Sequence, residues 1–241
     1  MMKGILQIAC LLALSLAPAW ASTRTDCTTY ASPSGGGDGT SPSKPITLTS
    51  AISSATAGSV ICVMGGNYSL ADVVAPTQSG TSSRWITVED YGDSPAVLAY
   101  TGGATPASGN HNMFQWYHSG YDTFPENWTG APSYWKVRGL TVDGNGYATN
   151  AFLCQGGHHL EFADNYVKNT LRSAIATVAC DYVTANRNEI WHNGYNPNAV
   201  TYTTGATSAI SFNSTQYWPD KASSSPGFHN IAANNARLTA N

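Results

Sequence analysis

The sequence predicts an all-β fold, a single-stranded right-handed parallel β-helix, on three observations. A block of the chain repeats without gaps at a step of 23 residues. Within each repeat apolar and polar residues alternate on either side of a bend, as strands with one buried face require. Charge is scarce, at 10% Asp, Glu, Lys and Arg, while Gly, Ser, Thr, Asn and Tyr are abundant. Such a chain makes few amphipathic helices, which need charged outer faces, and suits short strands joined by polar turns.

The repeat is read by writing Ala151 to Asn169 above Ala174 to His192. Phe152 then meets Ile175, Leu160 meets Val183, Asn165 meets Asn188 and Val167 meets Ile190. Upstream, Val137 to Asp143 matches Phe162 to Lys168. Downstream, beyond an interruption from Gly194 to about Gly227, Ile231 is expected to follow Val183 and Leu238 to follow Ile190. Two inward columns result: Val137, Phe162, Ala185 and Ala233, and Val142, Val167, Ile190 and Leu238. One turn of chain cannot bury its apolar face alone, but turns stacked about 4.8 Å apart build a continuous core. Asn165 and Asn188 fall at the bend, where an inward amide satisfies backbone groups of its own and the next turn, so these asparagines read as structural. A leucine-rich repeat lacks its leucine pattern here, and a β-sandwich does not explain a gapless repeat.

The chain opens with Lys3, an apolar run from Ile5 to Leu16, and Ala19-Trp20-Ala21. This is the pattern of a secretory signal peptide over residues 1–21, too short for the roughly 20 residues of a spanning helix. Residues 22–241 are then one β-helix domain, secreted to the extracellular space or the periplasm, with no membrane insertion. A net charge of −3 gives no footprint for nucleic acid.

Export changes what the cysteines mean. Without the leader and its Cys10, four remain, Cys27, Cys62, Cys154 and Cys180. An even count in an oxidising compartment with no CxxC spacing favours disulfides over zinc. Of the pairings open to them, Cys27–Cys62 with Cys154–Cys180 is favoured because each loop stays within one region; buried free thiols are the alternative.

The stretch Tyr30-Ala31-Ser32-Pro33, Gly35-Gly36-Gly37-Asp38-Gly39-Thr40-Ser41-Pro42, Leu48-Thr49-Ser50-Ala51-Ile52 and Gly58-Ser59-Val60-Ile61-Cys62-Val63-Met64-Gly65-Gly66-Asn67-Tyr68 resembles the opening of secreted β-helix proteins of the pectate lyase-like superfamily. It departs from that pattern at Ser59, where Asp is usual, and at Leu48. The resemblance continues through Trp85 to Val88 and Tyr134 to Leu140 and covers nearly all of the mature chain. It implies a short helix from about Thr47 to Ala55 capping the N-terminal end of the solenoid. It also implies one of several activities or roles: polysaccharide lyase, glycoside hydrolase, epimerase or non-enzymatic surface protein.

Lyase chemistry on uronate polymers needs the substrate carboxylate neutralised, by calcium or a cationic side chain, and a base for the α-proton. No stacked Asp or Glu cluster stands in the legible turns, so the calcium sites of the superfamily are not carried over; calcium stays only as the cation the chemistry would call for. What stacks outward is Asp143, Lys168 and Trp191, one per turn, with Asn169 and His192 beside them. Trp191 offers a flat face to a sugar, Asp143 and His192 offer polar contacts, and Lys168 is the candidate base. The plainer alternative is a surface ion pair of Lys168 with Asp143, with Trp191 packed under the 194–227 insertion. Asp164 with Arg187 and Glu189 with Arg237 are expected to pair across turns. His158, His159 and His229 have no metal-ligand spacing with acidic partners and read as turn or surface residues. The aromatic stretch His111 to Trp135 reads as a loop that folds over the side of the helix and borders a groove, with plain packing the equal alternative.

The expected partner is therefore a polysaccharide, bound by a protein that is monomeric when full length. Lyase action on acidic glycans is the leading function, and a non-catalytic glycan-binding or adhesion solenoid the alternative. A glycoside hydrolase would need two facing carboxylates, which the legible turns lack. Because the sequence stops at Ala240-Asn241 in a turn-like pattern, the expectation is a fragment lacking later turns.

Overall fold

In the computed structural model, which describes residues 23–104, 111–119, 130–194, 209–213 and 231–235, the chain winds through three parallel sheets. In the first (sheet A), β1 (Thr29–Ala31), β2 (Val60–Val63), β4 (Ile86–Asp90), β7 (Trp135–Arg138), β10 (His158–Ala163), β13 (Asp181–Asn186) and β16 (Ile231–Ala233) lie side by side in that order. Sheet B holds β3 (Gly66–Leu70), β5 (Ala96–Tyr100), β8 (Thr141–Asp143), β11 (Tyr166–Lys168) and β14 (Glu189–Trp191). Sheet C holds β6 (Phe114–Tyr117), β9 (Phe152–Gln155), β12 (Ile175–Val178) and β15 (Ile210–Asn213). From β7 onward the chain visits A, B and C in strict rotation, which is a right-handed parallel β-helix of one strand per sheet per coil.

Strand register follows the repeat. Phe162 pairs with Val137 and Ala185, and Val167 with Val142 and Ile190. These residues are all buried, with Phe114, Trp116, Trp135 and Phe152. Phe152 and Phe162 stack at 4.8 Å, and Trp116 meets Phe162 edge-on at 5.4 Å. Each large side chain so removed from water contributes about 2 to 3 kcal/mol.

The corner from sheet A to sheet B is the most regular part of the fold. It is made by Gly139-Leu140, Asp164-Asn165 and Arg187-Asn188, and the first residue of each pair has positive φ, at 74°, 56° and 52°. The second residue turns inward. Asn165 Nδ2 donates to Val137 O at 3.0 Å and to Asn188 Oδ1 at 3.0 Å, while its own Oδ1 accepts from Leu140 N at 3.1 Å. Asn188 repeats the scheme, donating to Phe162 O at 2.9 Å and to Asn235 Oδ1 at 3.0 Å, and Asn235 donates to Ala185 O. Both asparagines are structural, as their position at the bend predicts.

Asn235 also corrects the downstream register. Thr184 pairs with Ile231 and Ala185 with Ala232, one residue off the expected partners Val183 with Ile231 and Ala185 with Ala233. The interruption does not preserve a multiple of the period, and the buried amide ladder fixes the register instead. A one-residue slip reverses the faces of a strand, so Ile231 is exposed and not a core residue. Leu238, Arg237 and His229 lie outside the described residues, as do residues 1–22, where the leader is expected, and residues 236–241.

The aromatic stretch is not a loop throughout. Phe114-Gln115-Trp116-Tyr117 is strand β6, with Phe114 and Trp116 in the core, and Trp135 opens β7. Tyr121, Phe124 and Trp128 lie outside the described residues. Helix α1 (Leu48–Ser53) is capped by Thr47 Oγ1, which accepts from Ser50 N at 3.2 Å. It buries Leu48, Ala51 and Ile52 against β1 and β2. No helix among the described residues is long and apolar enough to cross a membrane. Both favoured disulfides form: Cys27–Cys62 and Cys154–Cys180, with Cα atoms 5.6 and 6.4 Å apart.

Candidate functional site

The outer face of sheet B carries two rows of side chains, set by the strand register. One runs Asn67, Val97, Thr141, Tyr166, Glu189; the other runs Ser69, Ala99, Asp143, Lys168, Trp191. The first coils are small or weakly polar here, and the later ones bring charge and aromatic surface. Asp143 and Lys168 are register partners, and the Lys168 ammonium meets Asp143 Oδ2 at 3.1 Å. Asn169 Nδ2 donates to Asp143 Oδ1 at 2.9 Å, so both carboxylate oxygens are engaged. Trp191 is the register partner of Lys168 on the next coil. His192 tilts against Trp191 with ring centroids 4.6 Å apart. Asn169 and His192 both have positive φ, 57° and 51°, and turn the chain out of sheet B.

The structure therefore brings Asp143, Lys168, Trp191 and His192 onto one face. It also forms the ion pair that was the plainer alternative. The ammonium of Lys168 donates to Asp143, so service as a base requires that pair to open when substrate arrives. The face does not fit calcium, since its two carboxylates, Asp143 and Glu189, stand in different rows two coils apart and Asp143 is taken by Lys168 and Asn169. Among the described residues no group of three or more His, Cys, Asp or Glu is placed to hold a metal ion.

A second polar region, on the outer face of sheet A, escaped the sequence. Glu89 lies in register with Cys62 and Arg138 and is 0% exposed. The Cys27–Cys62 bridge ties the segment leading into β1 across it. Arg24 Nε then reaches Glu89 Oε1 at 3.2 Å, and Arg138 Nε reaches Oε2 at 2.5 Å. Further along the same face Tyr134, His159 and Tyr182 stack one per coil, each ring 4.6 Å from the next. All three have positive φ. Trp85 meets Tyr134 edge-on at 5.7 Å, and Lys136 sits over Trp85 while pairing with Glu161. His158 and His159 are hydrogen-bonded between Nδ1 atoms 2.7 Å apart, with the tautomer setting which ring donates. Burial pushes both below the ordinary histidine range, His159 opposes charge on His158, and Asp181 pulls the other way. These histidines open strand β10 and are half-buried, His159 in a packed ring stack, and so are neither turn nor plain surface residues. Arg187 grips Asp164 with two bonds of 2.6 Å, as expected. The sequence signal for Glu89 was its place in the alternating strand Thr87-Val88-Glu89-Asp90; what buries it comes from a distant segment.

Fold and register together define a right-handed parallel β-helix. The structure is similar to a solved rhamnogalacturonan lyase, with a TM-score of 0.50 and 12% identity over 77% of this chain and 61% of that one. It is also similar to pectate lyase Pel9A, with a TM-score of 0.45 and 16% identity over 73% of this chain and 56% of that one. At such identities the likeness is one of fold, and the chain spans less than two thirds of either neighbour. No family model and no curated protein matches the sequence.

Proposed function

We propose that the protein is an extracellular, carbohydrate-active β-helix that engages acidic polysaccharide on the outer face of sheet B. The observation that carries this reading is the register row Asp143, Lys168, Trp191. A uronate carboxylate exchanges with Asp143 for the Lys168 ammonium, sugar hydroxyls bond the freed Asp143, and the indole of Trp191 lies against a sugar ring. Export is supported by the leader-like N-terminus and by two disulfides, which form and persist in oxidising compartments.

The leading activity is β-elimination. In this reading Lys168 leaves Asp143 on substrate entry and passes its ammonium proton to solvent; its amine then takes the α-proton of a uronate residue, and the bond from the β-carbon to the glycosidic oxygen breaks as the double bond forms. The test is ultraviolet absorbance of the unsaturated uronate as the protein meets pectate, alginate and glycosaminoglycans, with Lys168→Ala alongside. A rise that Lys168→Ala abolishes supports the lyase; turnover and affinity unchanged in that variant end the reading. The second reading is a non-catalytic glycan binder, favoured by the engagement of Lys168 with Asp143. It expects no absorbance change but binding that weakens in Trp191→Ala.

A further inference from the structure

At the outer side of the corner between sheets A and B lies a pocket of about 850 Å³, bordered by Arg24, Asp26, Asp90, Tyr91, Arg138 and Asp164. Its volume lies within the range of small-ligand sites. It shares no residue with the row Asp143, Lys168, Trp191. We infer that this pocket is a second carbohydrate site, and that it takes a neutral oligosaccharide.

Three features lead to that ligand. The lining mixes two guanidiniums with three carboxylates. Glu89 beneath it holds Arg24 and Arg138 by their Nε atoms, and Arg187 neutralises Asp164. No excess positive charge remains to draw a polyanion. No metal cluster is present among the described residues either. What the pocket offers is donors and acceptors side by side, which suits vicinal hydroxyls that accept from a guanidinium and donate to a carboxylate.

The second feature is that the arginines are already positioned. Arg138 Nε donates to the buried Glu89 carboxylate, and Arg24 Nε, beside that carboxylate, donates to Asp90 O at 3.3 Å, so their terminal N–H groups are held at the pocket without the entropy cost of ordering a free side chain on binding.

The third is Asp90. It is half-buried, and its Oδ1 is shielded yet has no hydrogen-bond partner in the structure. Burial raises its pKa, and Asp93 and Glu89 add to that while a backbone bond at Gly92 and Arg24 oppose it. A buried acceptor left bare is costly, and rotation of the carboxyl about its last bond brings that oxygen to a ligand hydroxyl. Tyr91, braced edge-on by Tyr30 at 5.5 Å, adds aromatic surface.

The wall formed by residues 23–26 depends on the Cys27–Cys62 bridge, so the site should exist only in the oxidised protein. The test is calorimetric titration of the full chain with short neutral cello-, manno-, xylo- and galacto-oligosaccharides, and with oligogalacturonate as the acidic probe. One neutral series should bind. Asp90→Ala and Asp26→Ala should each weaken it about tenfold, as loss of a bond to a charged group implies. Reduction of the bridge should abolish it. Asp90→Ala should leave binding of the acidic probe unchanged, so the two sites succeed or fail separately. Should a variant fold poorly, hydrogen exchange on the unmutated protein decides: saccharide must protect the amides of residues 90–92 and 138–139. No binding by any neutral series, or binding without that protection and indifferent to Asp90→Ala, overturns the inference.

Discussion

Glu89 on sheet A and Asp143 on sheet B are both carboxylates that meet a cation on the neighbouring coil, yet they stand in opposite environments. Glu89 is fully shielded, covered by the N-terminal segment and held by Arg24 and Arg138. Asp143 and Lys168 keep 20% and 31% of their side-chain surface in water. A shielded charge that loses its partner is stranded, whereas a wetted one is rehydrated. The same pairing is thus a structural necessity on one face and an exchangeable contact on the other, and an exchangeable contact is what a ligand can use.

The largest effect should come from breaking the shielded pair. Arg138→Met keeps the stem and removes the charge, leaving Glu89 with Arg24 alone; a loss of about 3 kcal/mol in denaturant unfolding is expected. A loss below about 1 kcal/mol would put Glu89 in the same class as Asp143. Next comes the bridge that keeps Glu89 covered. The double variant Cys27→Ser, Cys62→Ser frees a loop closed at a separation of 35 residues and should cost about 2 to 3 kcal/mol. It should also expose the Arg24 segment to limited proteolysis, and resistance equal to the unmutated protein would contradict the covering role.

A smaller effect is expected on acidification. His158 and His159 titrate below their unfolded value of 6.5, so the folded state holds them neutral. Their contribution is fully present above that pH. It is lost as pH falls through their lower folded values, because the unfolded chain takes up protons first. Unfolding midpoints from neutral pH downward should show this decline, and His159→Gln should flatten it; an unchanged profile in the variant would assign the decline to other groups. The smallest effect on stability belongs to Lys168→Met, under about 1 kcal/mol. Affinity for acidic glycan should nevertheless fall clearly in the same variant. A fold that loses several kcal/mol there would make the Asp143–Lys168 pair structural after all.

The sequence exposed those parts of the molecule that repeat. The block from Ala151 to His192 gave the coil, its inward columns and the asparagine ladder, because equal spacing in sequence becomes stacking in space. It also placed Asp143, Lys168 and Trp191 in one row. The downstream strand lies one residue off the match that hydrophobicity gives Ile231 and Ala233, because the half-buried amide of Asn235 sets the register. For Trp116 the packing alternative holds: Phe114-Gln115-Trp116-Tyr117 alternates as a strand does, but Gly- and Asn-rich flanks mask that strand in the sequence. Glu89 was out of reach for a different reason. Nothing near it in the chain says that a segment tied through Cys27 will lie across it.

The corner of Gly139-Leu140, Asp164-Asn165 and Arg187-Asn188 keeps one length, while Lys168 to Ile175 and Trp191 to Ile210, both running from sheet B to sheet C, differ widely. Lengthening a connection is thermodynamically mild, about 0.6 kcal/mol for each doubling of a flexible loop. Lengthening the asparagine corner would instead misalign every amide behind it. Heritable change is thereby channelled: from β7 onward this edge of the solenoid is closed to insertion and serves as its ruler, whereas the earlier coil, without the inward asparagine, crosses it through Tyr91 to Pro95. The other edges can be rewritten to meet new ligands without disturbing the stack.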